Sequence, residues 1–468
     1  MRSRMLRILL VSVCLAMCGR LAADVAVIKD KDGNPVLSLG GDTSLRLEHY
    51  SREAYIRNMN PTRANQGPAT EFYRQQTRLW ADWHLTQNVE LFTRVAHRWQ
   101  DFSSRSGDNR ANKASWEWPD EVVIDNLYLN FDKIADTGWS LRFGRMDLTE
   151  KNDKGVIGPM FGNGMVLFEG TPGDGSRTLY FDGLVATYKA EQDVLRLFAF
   201  YNQYKDEFIV INNRDRRLSV GDSSIVGAYW THKFDKIFNT DLYLMGVDVH
   251  DEQYDNQNMQ MATPGVRVFG SPHDLVDYSL EYAQQIGKYQ AGVRAGDKVN
   301  AYGSMVDARV NLKTPTGTVL QPEFQFEYTW FSGDDPGDGD SYGGWVSSFA
   351  GYPIWTEELM PNMLGGNWTN LHQFRLAVPL QVVPKKVTVT PSYAYLLADH
   401  TSYAMAGGGG ANGDGAVIGH LIGIVARYQI TSWWSTSFIV STLIPGDYFD
   451  AGDAGTQEWI RLETRLSF

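Results

Sequence analysis

The sequence predicts an all-β fold, a transmembrane antiparallel β-barrel of about 18 strands joined by short periplasmic turns and long extracellular loops. Three observations lead there. Apolar and polar residues alternate with a period of two through most of the chain, as they do on strands, where successive side chains point to opposite faces. The connections between these stretches run short, long, short in turn. Outside the first 23 residues, no stretch approaches the roughly 20 apolar residues that a spanning helix requires. A soluble antiparallel sheet would alternate too, with its apolar face on a core and its charged face in water. Such a sheet has no reason to keep all its long connections at one end, whereas an outer-membrane barrel has turns on one side and loops on the other.

Taken in order, the chain opens on a secretory signal. Arg2, Arg4 and Arg7 precede the apolar run 8–17, and Leu21-Ala22-Ala23 follows with small residues, the order of a cleaved signal peptide. Cleavage is expected near Ala23, so that 1–23 is the signal and 24–468 a single barrel domain. The segment Leu15-Ala16-Met17-Cys18 is similar to a lipoprotein signal but carries Met17 where a small residue is wanted. Both cysteines, Cys14 and Cys18, fall in this removable segment, which leaves the mature chain no thiol for disulfides or metal sites.

The first strand is 37–50, with Leu45 and Leu47 opposite Ser44, Arg46 and Glu48. A hairpin follows over 72–99. Leu79, Ala81, Trp83 and Leu85 share one face and Arg74, Gln76, Arg78 and Asp82 the other, and after the turn at Thr86-Gln87-Asn88 the residues Leu91, Thr93 and Val95 oppose Glu90, Arg94 and Arg98. Further strands are expected at 121–131, 139–144, 179–188, 195–201, 225–232 and 242–250. Topology then demands a strand between His250 and the one at 275–285, and the weak stretch 264–269 is the one that fits. The remaining strands are 302–312, 322–330, 373–380, 387–397, 417–430, 433–443 and 459–468. The last has Ile460, Leu462, Leu466 and Phe468 on one face, and a terminal aromatic on such a strand is the barrel-insertion signal. The glycine-rich connection 147–176 and the acidic connection 332–366 are expected outside the cell, with one of them folded into the mouth.

Composition agrees. Hydrophobic residues make up 43% with a mean hydropathy of −0.32, as expected when strands alternate. The aromatic load of 23 Tyr, 22 Phe and 14 Trp suits membrane-interface girdles. A net charge of −12 argues against a nucleic-acid partner.

The chemistry lies on the polar parity. Arg46, Arg74, Arg78, Arg94, Arg98, Arg142, Arg196, Arg267, Arg309, Arg375, Arg427, Arg461 and Arg465 fall on it, with almost no lysine. The acids on the same parity are fewer: Glu48, Asp82, Glu90, Asp277, Glu281, Asp307, Glu323, Glu327 and Glu463. Arginine is always charged and presents a planar fork matched to carboxylate and phosphate, and rings of such residues are how pores select anions. Two readings stand: an anion-selective lumen, or arginines that only pair with acids across strands. On the first, replacing Arg74, Arg78 and Arg94 together by Ser lowers anion preference without unfolding the barrel.

Other sites are weaker. Asp334, Asp335, Asp338 and Asp340 form a loop whose carboxylates suit calcium, against the simpler reading of a solvated loop, and no metal centre is expected. The nine histidines are scattered, no serine stands in a Gly-x-Ser-x-Gly setting, and Gly407 to Gly410 precede no helix that would make a phosphate cradle. No cofactor and no enzymatic activity are expected.

The chain resembles the alginate-export family of outer-membrane porins. The resemblance rests on Arg74-x-x-x-Arg78-Leu79, Tyr128-Leu129, Gly144-Arg145, Phe181-Asp182-Gly183-Leu184, Ser332-Gly333-Asp334 and Pro445-Gly446-Asp447-Tyr448-Phe449, and it covers nearly the whole mature chain. It departs at Met146, where the family has glutamine. It implies a monomeric barrel of about 18 strands whose arginine-lined constriction passes an anionic uronate polymer. The expected function is therefore an outer-membrane channel for anionic saccharides; the alternative is a general diffusion porin without charge preference. Its expected partners are outer-membrane lipid, the anionic saccharide and, through the strand ending at Phe468, the barrel-assembly machinery.

Overall fold

The computed structural model of the chain describes residues 25–50, 70–102, 116–117, 122–151, 157–162, 180–203, 205–206, 210–211, 216–217, 222–250, 258–290, 299–335, 341–346, 369–401, 415–449 and 455–468. The expected signal segment lies outside them. Eighteen strands form the wall. The first six are β1 Pro35–Tyr50, β2 Thr70–Thr86, β3 Val89–Phe102, β4 Val122–Phe131, β5 Trp139–Met146 and β6 Phe181–Lys189. Then come β7 Asp193–Asn202, β8 Asp222–Lys233, β9 Asn239–His250, β10 Met259–His273, β11 Val276–Gln284 and β12 Ser304–Lys313. The circuit ends with β13 Glu323–Phe331, β14 Leu371–Ala377, β15 Val387–Leu397, β16 Val417–Gln429, β17 Trp434–Pro445 and β18 Gln457–Ser467.

Each strand pairs antiparallel with the next, and β18 returns to β1, Trp459 opposite Tyr50 and Ser467 opposite Asp42. Two further bonds continue that seam: Phe468 N–H donates to Gly41 O (2.8 Å) and Gly41 N–H to Phe468 O (2.6 Å). Beyond Phe468 the same edge of β1 is taken by a short strand, Val25–Lys29, which pairs with residues from Leu39 to Pro35. Closure leaves the wall no free edge, the feature that otherwise invites aggregation.

Side-chain burial is inverted relative to a soluble sheet. Leu79, Phe143, Leu197, Val226, Leu244, Leu280, Phe326, Phe374, Ile424 and Leu462 are exposed on the outside, while Arg46, Glu48, Asp241, Glu281, Asp307, Gln373 and Glu463 are buried inside. Charged residues are almost never fully buried without partners, so an apolar outside and a charged inside mean lipid around the barrel and a polar lumen. This settles the choice between soluble sheet and barrel. Leu244, in the middle of β9 and 54% exposed, tests it. Leu244→Arg should destabilise the barrel by about 2–4 kcal/mol, the range for a cation at the bilayer midplane, as read by the urea midpoint of protein refolded into vesicles.

The strand reached only through topology, 264–269, is one of the longer ones, Met259–His273. Its pattern was weak because of Pro264. That residue faces Leu244 on one side, while on the other side the pairing with β11 stops at Gly265–Ala283 and resumes at Ala262–Ile286. The proline's missing N–H therefore falls at a break in the ladder, where proline is tolerated.

Both long connections send described segments into the lumen, where the sequence suggested one. Thr149–Lys151 pairs with Ile157–Pro159, which brings Phe161 against the inward-facing rings of Phe198 (4.9 Å) and Tyr229 (5.6 Å). Ser341–Tyr342 pairs with Val299–Ala301, and Trp345 behind it is only 1% exposed. The side-chain amide of inward-facing Gln285 then acts as a strand of one residue, its Nε2 donating to Val346 O (2.8 Å) and its Oε1 accepting from Val346 N–H (2.9 Å). These two segments narrow the lumen: the second lies at its long-loop end, and the first reaches down to Arg142 and Arg196, each the fourth residue after a short turn.

Candidate functional site in the lumen

Antiparallel pairing sets inward residues of neighbouring strands side by side, about 5 Å apart, so opposite charges on one row meet. Most of the arginines singled out from the sequence are placed this way. Arg78 Nε donates to Asp42 Oδ1 (3.0 Å), its register partner on β1, and Arg74 lies 3.4 Å from Glu48. Arg94 holds Asp125 (2.9 Å) and Asp147 (2.7 Å). Arg196 pairs with Glu150 (2.5 Å) on the inward hairpin. Arg267 holds Asp241 (2.6 Å), whose carboxylate also accepts from Tyr229 Oη (2.7 Å), and Tyr243 Oη donates to Glu281 (2.8 Å). Arg309 meets Asp307 (2.8 Å) and Glu327 (3.3 Å), and Arg375 shares Glu327 (3.1 Å). Arg142 lies over the Tyr128 ring at 4.6 Å and donates to Thr149 O (3.3 Å). On this part of the wall, carboxylates match the guanidinium groups.

The arc from β15 through β18 to β1 differs. Arg46 (3.0 Å), Arg465 (3.1 Å) and Arg461 (3.8 Å) converge on the single carboxylate of Glu463. Register continues the row of Arg46 and Glu463 to Ser437, Arg427 and Thr388. Arg427 therefore stands two strands from Glu463, about 10 Å at the strand spacing. It is exposed to the lumen and takes no carboxylate partner among the described residues. A cavity of about 590 Å³ opens here, lined by Arg46, Arg427, Arg461, Arg465, Lys385 and Lys386 against Glu463, with Thr388, Ser435 and Ser437 between them.

Arg98 sits on β3 opposite Gln76, and its side chain lies outside the described residues. Sequence reading missed five inward acids, Asp42, Asp125, Asp147, Glu150 and Asp241. Asp42 shares parity with Arg46 and was legible; Asp241 lies one residue before the expected start of its strand. Asp125 was not legible, because a bulge where Arg94 faces Asn126 but Val95 faces Ile124 turns an extra residue inward. Lys385 and Lys386 were passed over as turn residues.

The acidic loop gives no metal centre among the described residues. Asp334 is buried and accepts from Gly343 N–H (2.9 Å), while Asp338 and Asp340 lie outside the described residues. His372 hydrogen-bonds to Tyr328 Oη (2.9 Å) and to Asp399 (2.9 Å). It lies on the outward parity, beside Trp330, away from the lumen.

Several of the motif residues are neighbours in space. Gly144 faces both Tyr128 and Gly183, and Arg145 faces Asp182, holding it through Nε at 2.8 Å. Gly144 has φ +130°, and a Cβ there would strike Leu127 O, as one on Gly183 would strike Ala199 O. Only glycine lets these strands approach so closely.

The family model described as Alginate export matches residues 43–460. No protein of curated function matches in sequence. Among solved structures, the chain is similar to the outer membrane protein opdK from Pseudomonas aeruginosa, with 12% identity, a TM-score of 0.52 and coverage of 92% of this chain and 99% of that one. It is similar to OccK9 (OpdG) of the same organism, at 12% identity, TM-score 0.55 and coverage of 92% and 98%. OccAB1 from Acinetobacter baumannii gives 12%, 0.56, and coverage of 92% and 96%. At such identity these likenesses establish the fold.

Proposed function

This chain belongs to the alginate export family and is an outer-membrane channel, and from that premise we propose that it passes anionic saccharides of the uronate type. The observation that carries the reading is the excess of cationic side chains lining one cavity of the lumen, six against the one carboxylate among the lining residues. In a narrow wet pore, charges act through less screening water than on an open surface, so an arc of one sign biases permeation. The neutralised arginines elsewhere favour the second reading, a general porin, and the two differ in a measurable way. In a planar bilayer with a potassium chloride gradient, the reversal potential should carry the sign of chloride preference. A potential near zero would favour the general porin instead, and one of the opposite sign would overturn the anionic reading.

A further inference from the structure

The outer face of the wall carries a cavity that the channel function leaves unused. It has a volume of about 620 Å³ and runs across β11 to β15, within the roughly 300–1,000 Å³ of ligand pockets. Its floor is Ala308. In register around the barrel the outward row reads Leu280, Ala308, Tyr328, Phe374, Tyr395 and His420, so one short side chain stands among large ones. The next row toward the short turns, with Val310, Phe326 and Leu376, forms the lower wall.

Two tyrosines keep the groove open. Tyr328 faces Phe374 in register, yet its Oη reaches His372 Nδ1 (2.9 Å), two residues nearer the long-loop end of β14. Tyr393 faces Ile422, and its Oη reaches His420 Nδ1 (2.8 Å), again two residues toward that end. Both rings therefore lean toward the long loops, and Tyr328 leaves the space over Ala308 unfilled.

The groove has two unlike ends. At β11 and β12 it is bounded by Leu280 and Val310, both exposed and apolar, and the phenol of Tyr278 there donates to Ile237 O (3.0 Å). At β15 it ends on Tyr395, whose ring lies 5.1 Å from that of His420. Tyr393 engages only Nδ1 of this imidazole, and Nε2 takes no partner among the described residues. Leu280 is four residues from the start of β11 and Tyr395 eight from the start of β15, so the groove rises toward the long loops as it passes around the wall. Four strand spacings separate its ends, about 19 Å. With strands tilted by about 40°, that is a rise of roughly 12 Å along the barrel axis, close to one leaflet of a hydrocarbon core about 30 Å thick. Long loops face outside in such barrels, so the polar end lies at the outer interface and the apolar end near the middle of the bilayer.

We propose that this groove holds one acyl chain of the phosphorylated glycolipid of the outer leaflet, with the headgroup at His420 Nε2 and the chain laid over Ala308. Three features select a lipid of that leaflet: the groove lies on the lipid-facing side, it has the depth of one leaflet, and its hydrogen-bonding end faces outward. An imidazole with one nitrogen engaged offers a donor or an acceptor at the other, which suits the phosphate and hydroxyl groups of such a headgroup.

The test is native mass spectrometry of the refolded protein with lipid A, comparing wild type with Ala308→Phe, which fills the groove, and with Ala426→Phe, at an outward alanine of β16 outside it. Wild type should retain one lipid A molecule, Ala308→Phe should weaken retention by about tenfold or more, and Ala426→Phe should leave it unchanged. His420→Phe should reduce the preference for lipid A over phosphatidylglycerol of equal chain length by about tenfold. Single-channel conductance of each variant should match wild type, because these side chains face away from the lumen, and this reads correct folding. If Ala308→Phe inserts poorly, Ala308→Leu, matching its row neighbour Leu280, reads the same retention. Equal loss from both alanine replacements, or none from either, would overturn the groove and leave only lipid that coats the whole wall. Wild-type retention of phosphatidylglycerol as strong as that of lipid A would overturn the glycolipid assignment. Neither result bears on what the lumen passes.

Discussion

Without Phe468, most of the chain should fail to reach the folded, heat-modifiable form. Phe468 contributes both backbone bonds to Gly41 that continue the β18–β1 seam. Its ring fills the space where a Cβ on Gly41 would stand, 2.7 Å from that position, with Leu79 beside it at 2.8 Å. Removing the residue opens a gap between the end of β18 and the short strand Val25–Lys29, and it leaves the N–H and C=O of Gly41 unpaired at the membrane. Unsatisfied backbone groups there cost several kcal/mol each, and the gap lies at the one junction that turns a sheet into a barrel. Electrophoresis of heated and unheated samples measures the folded fraction. A deletion variant with an undiminished folded band would show that the seam closes without Phe468.

The second large effect is expected at Arg94. Asp125 is fully buried and Asp147 nearly so, and both carboxylates depend on this guanidinium. Arg94→Ser would leave two buried carboxylates without the guanidinium that bridges them. Breaking a buried pair by removing one partner costs about 3–5 kcal/mol, whereas replacing all the members by neutral residues costs much less. The urea midpoint of Arg94→Ser should therefore fall well below that of the variant carrying Arg94→Gln, Asp125→Asn and Asp147→Asn. Equal midpoints would mean that the cluster is solvated from the lumen. The sequence expectation for Arg74, Arg78 and Arg94 replaced together by Ser is a barrel that does not unfold. Each is held to a carboxylate on a neighbouring strand or loop, so the triple replacement is expected to lower the urea midpoint at least as far as Arg94→Ser alone.

The sequence by itself determined the class of fold, the sides of the wall and nearly every strand. Alternation is a local property, carried by residues two apart, and lipid outside with water inside forces it to persist along each strand. Even Met259–His273 could be inferred through its proline, since a chain that crosses the membrane must cross back. Parity likewise placed arginines such as Arg46, Arg267 and Arg461 on the inward row. What only the tertiary structure decided is which of those charges remain available. Arg267 is neutralised by Asp241 across a strand pair and Arg94 by Asp147 from a loop, whereas Arg427 faces Ser437 and a lysine-bearing turn. The partner of an inward side chain lies one strand over, tens of residues away in the chain, and a single bulge, as at Asp125, changes which residue meets it. Charge balance in a lumen is a property of rows that run around the barrel, and no local pattern along the chain records them.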